Sequence, residues 1–372
     1  MIYLDNAATS FPKPRAVIRD LNFCLKKYCG NPGRSSHKLS IKAIEEIYNT
    51  RELIAEMIDA EGAEHIIFTY NATYALNIAI KSYVSEKCHI ITSDFEHNSV
   101  IRPLESLKQS LGVEYSLIDT AKDIRTELNK ALRPDTKGII CSICSNVFGR
   151  SLPLSVLSEF AKTNSLFLII DASQALGHMH IDLKKTPCDA LCAPGHKSLF
   201  GIQGCGFAYF KDKYRRKCLI EGGSGANSID KEMPMLLPEG YEAGTLSTPA
   251  IISLGAGIRF INKIGLDEIS SKLNAMTQSL YDRLRYIKEI DAYPVGCGLL
   301  SFNIKDISSS VIAKELDNAG ICVRGGLHCA PSAHKILGTL GQGAVRASLS
   351  YLNSQGDIEY LYKVTREIAN KI

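Results

Sequence analysis

The sequence predicts an α/β protein: a large domain with a mostly parallel, mixed sheet covered by helices on both faces, followed by a smaller α+β domain. Three observations carry this. Short apolar runs, among them 88–92 (CHIIT), 138–143 (GIICSI) and 166–170 (LFLII), recur through the first part of the chain, and such runs suit strands buried on both faces. Stretches with helical periodicity separate them, which is the alternation of a parallel sheet with helices on either side. From about Asp267 the texture changes to amphipathic helices and short strands.

Residues 1–14 (MIYLDNAATSFPKP) read as an extended arm ended by two prolines. A helical stretch over 15–28 is broken by Gly30-Asn31-Pro32-Gly33, and 39–60 is helical again. There Ile41, Ile44, Ile47, Leu53, Ile54 and Met57 form one apolar stripe expected to face the core. The run 65–70 (HIIFTY) is a short strand, and Asn71-Ala72-Thr73 opens a helix directly after it. A helix starting there offers free N–H groups and a positive dipole end to a phosphate; Thr73 also suits an N-cap. The strand at 88–92 leads to Glu96-His97-Asn98-Ser99, and the one at 138–143 leads to Asn146.

The run 166–170 ends at Asp171, which places a carboxylate at the carboxyl end of a strand, where open α/β sheets bind ligands. A second run, 190–193, ends in Pro194-Gly195-His196-Lys197. An acid and a lysine on one rim are what pyridoxal phosphate chemistry needs. The amine bonds the aldehyde, and the acid keeps the pyridine nitrogen protonated so that the ring accepts electrons. The run 207–210 closes the strand series, Glu221-Gly222-Gly223-Ser224-Gly225 is a turn, and 249–264 is an apolar helix. We expect an arm over 1–14, a large domain over 15–260 and a small domain over 261–372, the last with strands at 299–304 and 321–323.

The chain has 372 residues and a formal net charge of +4, with 45% hydrophobic and 22% charged residues. That balance is ordinary for a globular protein and gives no reason to expect nucleic acid; the basic cluster at 213–217 reads as a solvated face. No stretch approaches the ~18 apolar residues of a transmembrane helix, and the N-terminus lacks a basic region followed by an apolar one. A cytoplasmic location is therefore expected, with twelve cysteines mostly reduced and mostly small core residues. Cys141-x-x-Cys144 has the spacing of a dithiol or half a zinc site, but no second pair stands at ribbon spacing, so no metal is expected. His178, His180, Cys188, Cys192 and His196 offer a zinc set that competes with the cofactor for the same segment. A nicotinamide site fails for want of a G-x-G-x-x-G turn.

The other informative stretch is Val323-Arg324-Gly325-Gly326-Leu327-His328-Cys329-Ala330-Pro331. Its glycines allow a sharp turn close to a ligand. Cys329, flanked by His328 and near Arg324, is expected in an electropositive setting that favours its thiolate. Further on, Arg346 offers a planar fork suited to a carboxylate.

From Asp5-Asn6-Ala7-Ala8 to Arg346 the chain resembles the class V aminotransferase superfamily, pyridoxal phosphate enzymes of fold type I, and within it the cysteine desulfurases. The loop Arg-x-Gly-x-His-Cys-Ala at residues 324–330 resembles that of the type II group. The resemblance implies that Lys197 carries pyridoxal 5′-phosphate, with Asp171, Gln174 and His196 around it, His97 stacked on its ring, and Asn146 near the ring hydroxyl and the substrate. It implies that Ala72 and Thr73 hold the phosphate, that Thr245 reaches the phosphate of a neighbouring subunit in a homodimer, and that Arg34-Ser35-Ser36-His37 is a loop on the substrate side. Arg346 would hold the substrate carboxylate, Arg324 would begin the loop, and Cys329 would take sulfur from L-cysteine as a persulfide, to be passed to an acceptor protein. Two departures stand out: Pro194 where the family carries Ser or Thr, and PSAHKILGTLGQGA between Cys329 and Arg346. The alternatives are a selenocysteine lyase or another class V lyase or aminotransferase, and a non-catalytic sulfur-carrier scaffold.

Overall fold

The computed structural model describes every residue except 34, 215, 226–228 and 372. Arg34 of the expected substrate-side loop, and Arg215 of the 213–217 cluster, therefore lie outside the described residues. The chain opens with β1 (Ile2–Tyr3), then α1 (Arg15–Lys27) and α2 (Lys38–Met57). The single stripe expected on α2 needs correction: Ile47 and Ile54 are buried, but Ile41 and Ile44 are 45% and 41% exposed. Each three-residue step swings a helical stripe by about 60°. The buried line instead follows Ser40, Ala43, Ile47, Thr50 and Ile54.

Strands and helices then alternate: β2 (Ile66–Thr69), α3 (Ala72–Tyr83), β3 (His89–Ser93), α4 (Asn98–Leu111), β4 (Glu114–Ile118), α5 (Ile124–Ala131), β5 (Thr136–Ser142), α6 (Leu154–Thr163), β6 (Phe167–Asp171), β7 (Ala190–Pro194) and β8 (Gly206–Phe210). Among the described residues they build a seven-stranded sheet in the order β2-β8-β7-β6-β5-β3-β4. Pairings from β4 across to β7 are parallel, and β8 runs antiparallel to both β7 and β2. Adjacent residues feed different cores. Ile140, Ile169 and Cys192 join Leu76 of α3 and Leu104 of α4, whereas Ile139, Leu168, Ile170 and Leu191 join Leu157 of α6. Helices on both faces are why these strands read as unbroken apolar runs. This is the mixed, mostly parallel architecture the sequence predicts.

After β8 come α7 (Thr248–Ile264), which packs on α1 and α2, and α8 (Leu266–Leu284). Then follow β9 (Ile290–Ala292), β10 (Leu299–Ile304), α9 (Ser309–Asn318), β11 (Ile321–Cys322), β12 (Arg324–Gly326), α10 (Pro331–Ile336), β13 (Ala344–Ser348) and α11 (Gln355–Ala369). A four-stranded antiparallel sheet, β12-β13-β10-β9, forms here. The N-terminal arm is stitched to this part of the molecule: β1 pairs in parallel with β11, and Asp5 bridges to Ser348. Cys144 is disulfide-bonded to Cys297, while Cys141 is buried in β5 as a free thiol, so the C-x-x-C pair does not act as one. Among the described residues, no helix is long and apolar enough to cross a membrane.

Candidate active site

The carboxyl ends of the parallel strands converge on a cavity of about 490 Å³. Asp171 is the last residue of β6, Lys197 follows the end of β7, and His97 follows the end of β3. Ala72 and Thr73 open α3, and Asn146 lies beyond β5; all of these line the cavity, with Gln174 and His196. Arg324 of β12 and Arg346 of β13 reach the same space from the other sheet. The Asp171 carboxylate accepts from Ser173 N at 2.8 Å and from Ser142 Oγ at 3.4 Å. Burial pushes the Lys197 amine down to about 8, opposed by the Asp171 carboxylate and reinforced by the Arg346 and Arg324 guanidiniums.

His97 is the N-cap of α4, its Nδ1 accepting from Ser99 N at 3.0 Å. Ser99 Oγ lies 2.8 Å from that nitrogen and 2.8 Å from Thr73 Oγ1, which links the α3 and α4 N-termini. Burial and the Lys197 charge lower the His97 pKa to about 4. The ring is thus neutral at neutral pH, with its proton on Nε2. Thr73 is not the N-cap of α3. Asn71 is, its side chain accepting from Tyr74 N at 3.1 Å, because Asn71 is the residue that still has extended backbone angles. The first N–H groups of a helix have no intrahelical partner, so the positive end of α3 stands at the cavity. A Cβ on Gly206 would come within 2.6 Å of the Asn71 carbonyl carbon, so only glycine lets β8 pass here.

Arg346 is 1% exposed. Its Nη2 donates to Asp5 Oδ1 at 2.8 Å and its Nη1 to Asn146 O at 3.0 Å, while Nε has no partner among the described residues. Gln174 Nε2 donates to Ala7 O at 3.2 Å. The His196 carbonyl accepts from Thr9 Oγ1, Ser10 N, Ser10 Oγ and Lys13 Nζ, at 3.0 to 3.2 Å. The zinc alternative does not assemble. His178 donates from Nδ1 to Gln174 O and accepts from Ser198 Oγ, and among the described residues no cluster of His, Cys, Asp and Glu is placed to hold a metal.

The rim is built differently. His328 and Cys329 both adopt left-handed backbone angles, φ 51° and 58°. Cys329 is exposed and stands outside the cavity lining, with Arg324 Nη2 3.9 Å from its Sγ. Asn98 N donates to Cys329 O at 2.8 Å, which seats the loop on the His97 turn. The electropositive setting expected from His328 is corrected: the ring is 2% exposed and donates from Nε2 to Ala344 O at 3.0 Å. Burial, with the charge of Arg346 next, pushes its pKa down to about 2. His328 is neutral, and the positive charge beside the thiol comes from Arg324.

Two further candidates, like Cys329, stay out of the cavity lining. His37 is the exposed N-cap of α2, accepting from Ser40 N at 3.2 Å. Thr245 is exposed and lines neighbouring hollows with Tyr74 and Tyr48, while Gly244 N donates to Gly223 O at 2.7 Å. Sequence reasoning passed over Ser99, Ser142, Ser173, Glu96 and Asp5. Ser142 carried a usable signal, since it ends β5 as Asp171 ends β6.

This set suits pyridoxal phosphate: an amine of lowered pKa for its aldehyde, a carboxylate for its ring nitrogen, a neutral imidazole, and a helix N-terminus with a threonine for its phosphate. The class-V aminotransferase family pattern matches residues 2–361. A probable cysteine desulfurase of Methanothermobacter thermautotrophicus is 32% identical, covering 99% of this chain and 94% of that protein. One of Halalkalibacterium halodurans is 33% identical over 98% and 92%. The apo structure of cysteine desulfurase from Thermococcus onnurineus NA1 superposes with a TM-score of 0.92 at 29% identity, covering 100% of this chain and 95% of that one. The chain therefore belongs to the class-V aminotransferase family, in its cysteine desulfurase group, and is a pyridoxal-phosphate-dependent enzyme.

Proposed function

We propose that this enzyme converts L-cysteine to L-alanine and takes the sulfur onto Cys329 as a persulfide. The observation that supports this most is the pairing of two arrangements: Asp171 and Lys197 at adjacent strand ends, and a thiol at the rim with Arg324 3.9 Å from its sulfur. Bound at Lys197, the cofactor would act as an electron sink that acidifies the substrate's Cα–H. Lys197, with an amine pKa near 8, holds the group and moves that proton at Nζ. Asp171 would hold the ring nitrogen protonated, and neutral His97 would lie against the ring. Arg346 and Arg324, which both line the cavity, would take the substrate carboxylate. At Cys329 an S–S bond forms as the substrate's Cβ–S bond breaks; Cβ gains a proton, so cysteine and thiol become alanine and persulfide.

Alanine and sulfide, measured together from L-cysteine and a reductant, should appear in equal amounts and vanish in Cys329→Ala. Alanine at wild-type rate in that variant would overturn the role of Cys329. One observation favours a second reading. Cys329 stands outside the cavity lining, which suits selenocysteine lysis, where selenium departs without a thiol acceptor; undiminished selenocysteine turnover in Cys329→Ala would select it.

We further read the protein as an intracellular homodimer with residues 15–260 and 261–372 as its domains. Ile44, Tyr70 and Tyr74 leave apolar surface beside Thr245, and a second copy there would explain both. Sedimentation should give twice the monomer mass.

A further inference from the structure

Glu96 is wholly buried, and no arginine, lysine or histidine pairs with it among the described residues. Its oxygens are instead held by Ser93 Oγ, by Ser142 N at 2.8 and 3.0 Å, and by Ser142 Oγ at 2.7 Å. The same Ser142 Oγ lies 3.4 Å from Asp171 Oδ2. One serine hydroxyl thus stands between two buried carboxyl groups, and it has a single proton to give.

Two arrangements of that proton are possible. With Glu96 ionised, Ser93 and Ser142 both donate to it, and Asp171 receives nothing from Ser142 while facing a second negative charge in a low-dielectric interior. With Glu96 protonated, its O–H donates to Ser142 Oγ, the serine proton turns to Asp171, and Asp171 is left as the one charge of the pair. With no cation beside it, the buried carboxylate is costly to charge, and the serine hydrogen bonds offset only part of that cost.

We propose that Glu96 is a positioning residue that works as the neutral acid: through Ser142 it orients the Asp171 carboxylate and leaves it the only negative charge behind the cofactor's ring nitrogen. This rests on the reading of Asp171 as the partner of that nitrogen. Burial, opposed by the serine bonds and reinforced by Asp171, raises the Glu96 pKa to about 7, so the arrangement is lost just above neutrality. The other titratable groups around it do not substitute. His97, the next residue, is neutral. The Cys141 thiol on β5 is pushed well up by burial, and Asp94 is tied to Thr120 N and Oγ1. Lys197 interacts electrostatically with Asp171.

The test uses the pyridoxal-phosphate-loaded full chain and three variants: Glu96→Gln, which mimics the protonated acid, Glu96→Ala and Ser142→Ala. In wild type, the infrared band of a protonated carboxyl should be present at pH 6 and titrate away near pH 7, and it should be missing in Glu96→Gln. The cofactor's visible absorption should titrate with the same midpoint in wild type. Glu96→Gln should keep the cofactor and lose that titration, whereas Ser142→Ala should keep the carboxyl band and lose the spectral response. Activity of Glu96→Gln at pH 8 should exceed wild type by up to about tenfold, the dilution of the protonated form one unit above its midpoint. A missing carboxyl band at pH 6, a spectral titration surviving in Glu96→Gln, or cofactor loss in Glu96→Gln equal to that in Glu96→Ala would each overturn the proposal. Lack of any cofactor absorption in wild type would sink the cofactor reading instead, and the infrared band would still report on Glu96.

Discussion

Asp171 and Lys197 stand at the ends of neighbouring strands, β6 and β7, whose residues are almost all buried. Cys329 stands in an exposed loop after β12, next to another residue with positive φ. At the floor, strand pairing and two packed cores fix where each group lies; at the rim, a few hydrogen bonds to Asn98 and Asn146 do so. The contrast suits the proposed roles: a group holding a cofactor benefits from rigidity, and a thiol that would take sulfur and pass it on needs exposure.

The largest effects should come from removing one group from each region. Lys197→Ala should lose both the cofactor's covalent absorption band and activity by at least about a thousandfold. Cys329→Ala should match that loss of alanine formation while keeping the absorption band. If both variants lost the band, the rim would be holding the cofactor and the division would fail. Arg346→Lys tests the seam between the regions, because Arg346 spans Asp5 and Asn146. A lysine cannot keep both contacts and a planar fork, so kcat/KM should drop on the order of a hundredfold, mostly through KM. An unchanged KM would mean that Arg324 alone binds the carboxylate.

The floor was legible in the sequence because each strand there is a short apolar run and each functional residue follows its end. The rim was legible only as a motif. Composition cannot show that His328 turns inward to Ala344 O and becomes a neutral ring. Nor can it show that Ile41 and Ile44 leave the core line of α2, since every apolar residue scores alike in a periodic pattern. The Asp5–Arg346 pair joins positions 341 residues apart, and no local rule reaches that far.

Acid should unfold the protein through histidines that the fold holds neutral. The pKa values of His97, His178 and His196 fall to about 4 and that of His328 to about 2, from a usual 6.5. A depressed histidine pKa means the unfolded chain binds protons first, so stability is present above pH 6.5 and is lost as pH falls toward 4. Glu96, raised from 4.5 to about 7, has the opposite sign over that window and is outnumbered. Unfolding free energies from urea titrations should therefore be higher at pH 7 than at pH 5 by on the order of several kcal/mol. A flat profile would mean that these rings are solvated.

The smallest effect concerns the arm that ties the two regions together. At one end Asp5 bridges Ser348, and at the other Thr9, Ser10 and Lys13 converge on the carbonyl of His196, the residue before Lys197. Lys13→Met keeps the aliphatic stem and removes one donor of that set. A charged donor to a carbonyl contributes about 1.5 to 3 kcal/mol, but Lys13 has its pKa lowered to about 8 by burial, and that desolvation offsets much of the gain. The expected loss is about 1 kcal/mol of stability, with the cofactor spectrum unchanged because Thr9 and Ser10 still hold the carbonyl. A shifted spectrum in Lys13→Met would show instead that the arm sets the position of Lys197, and the arm would then belong with the floor rather than between floor and rim.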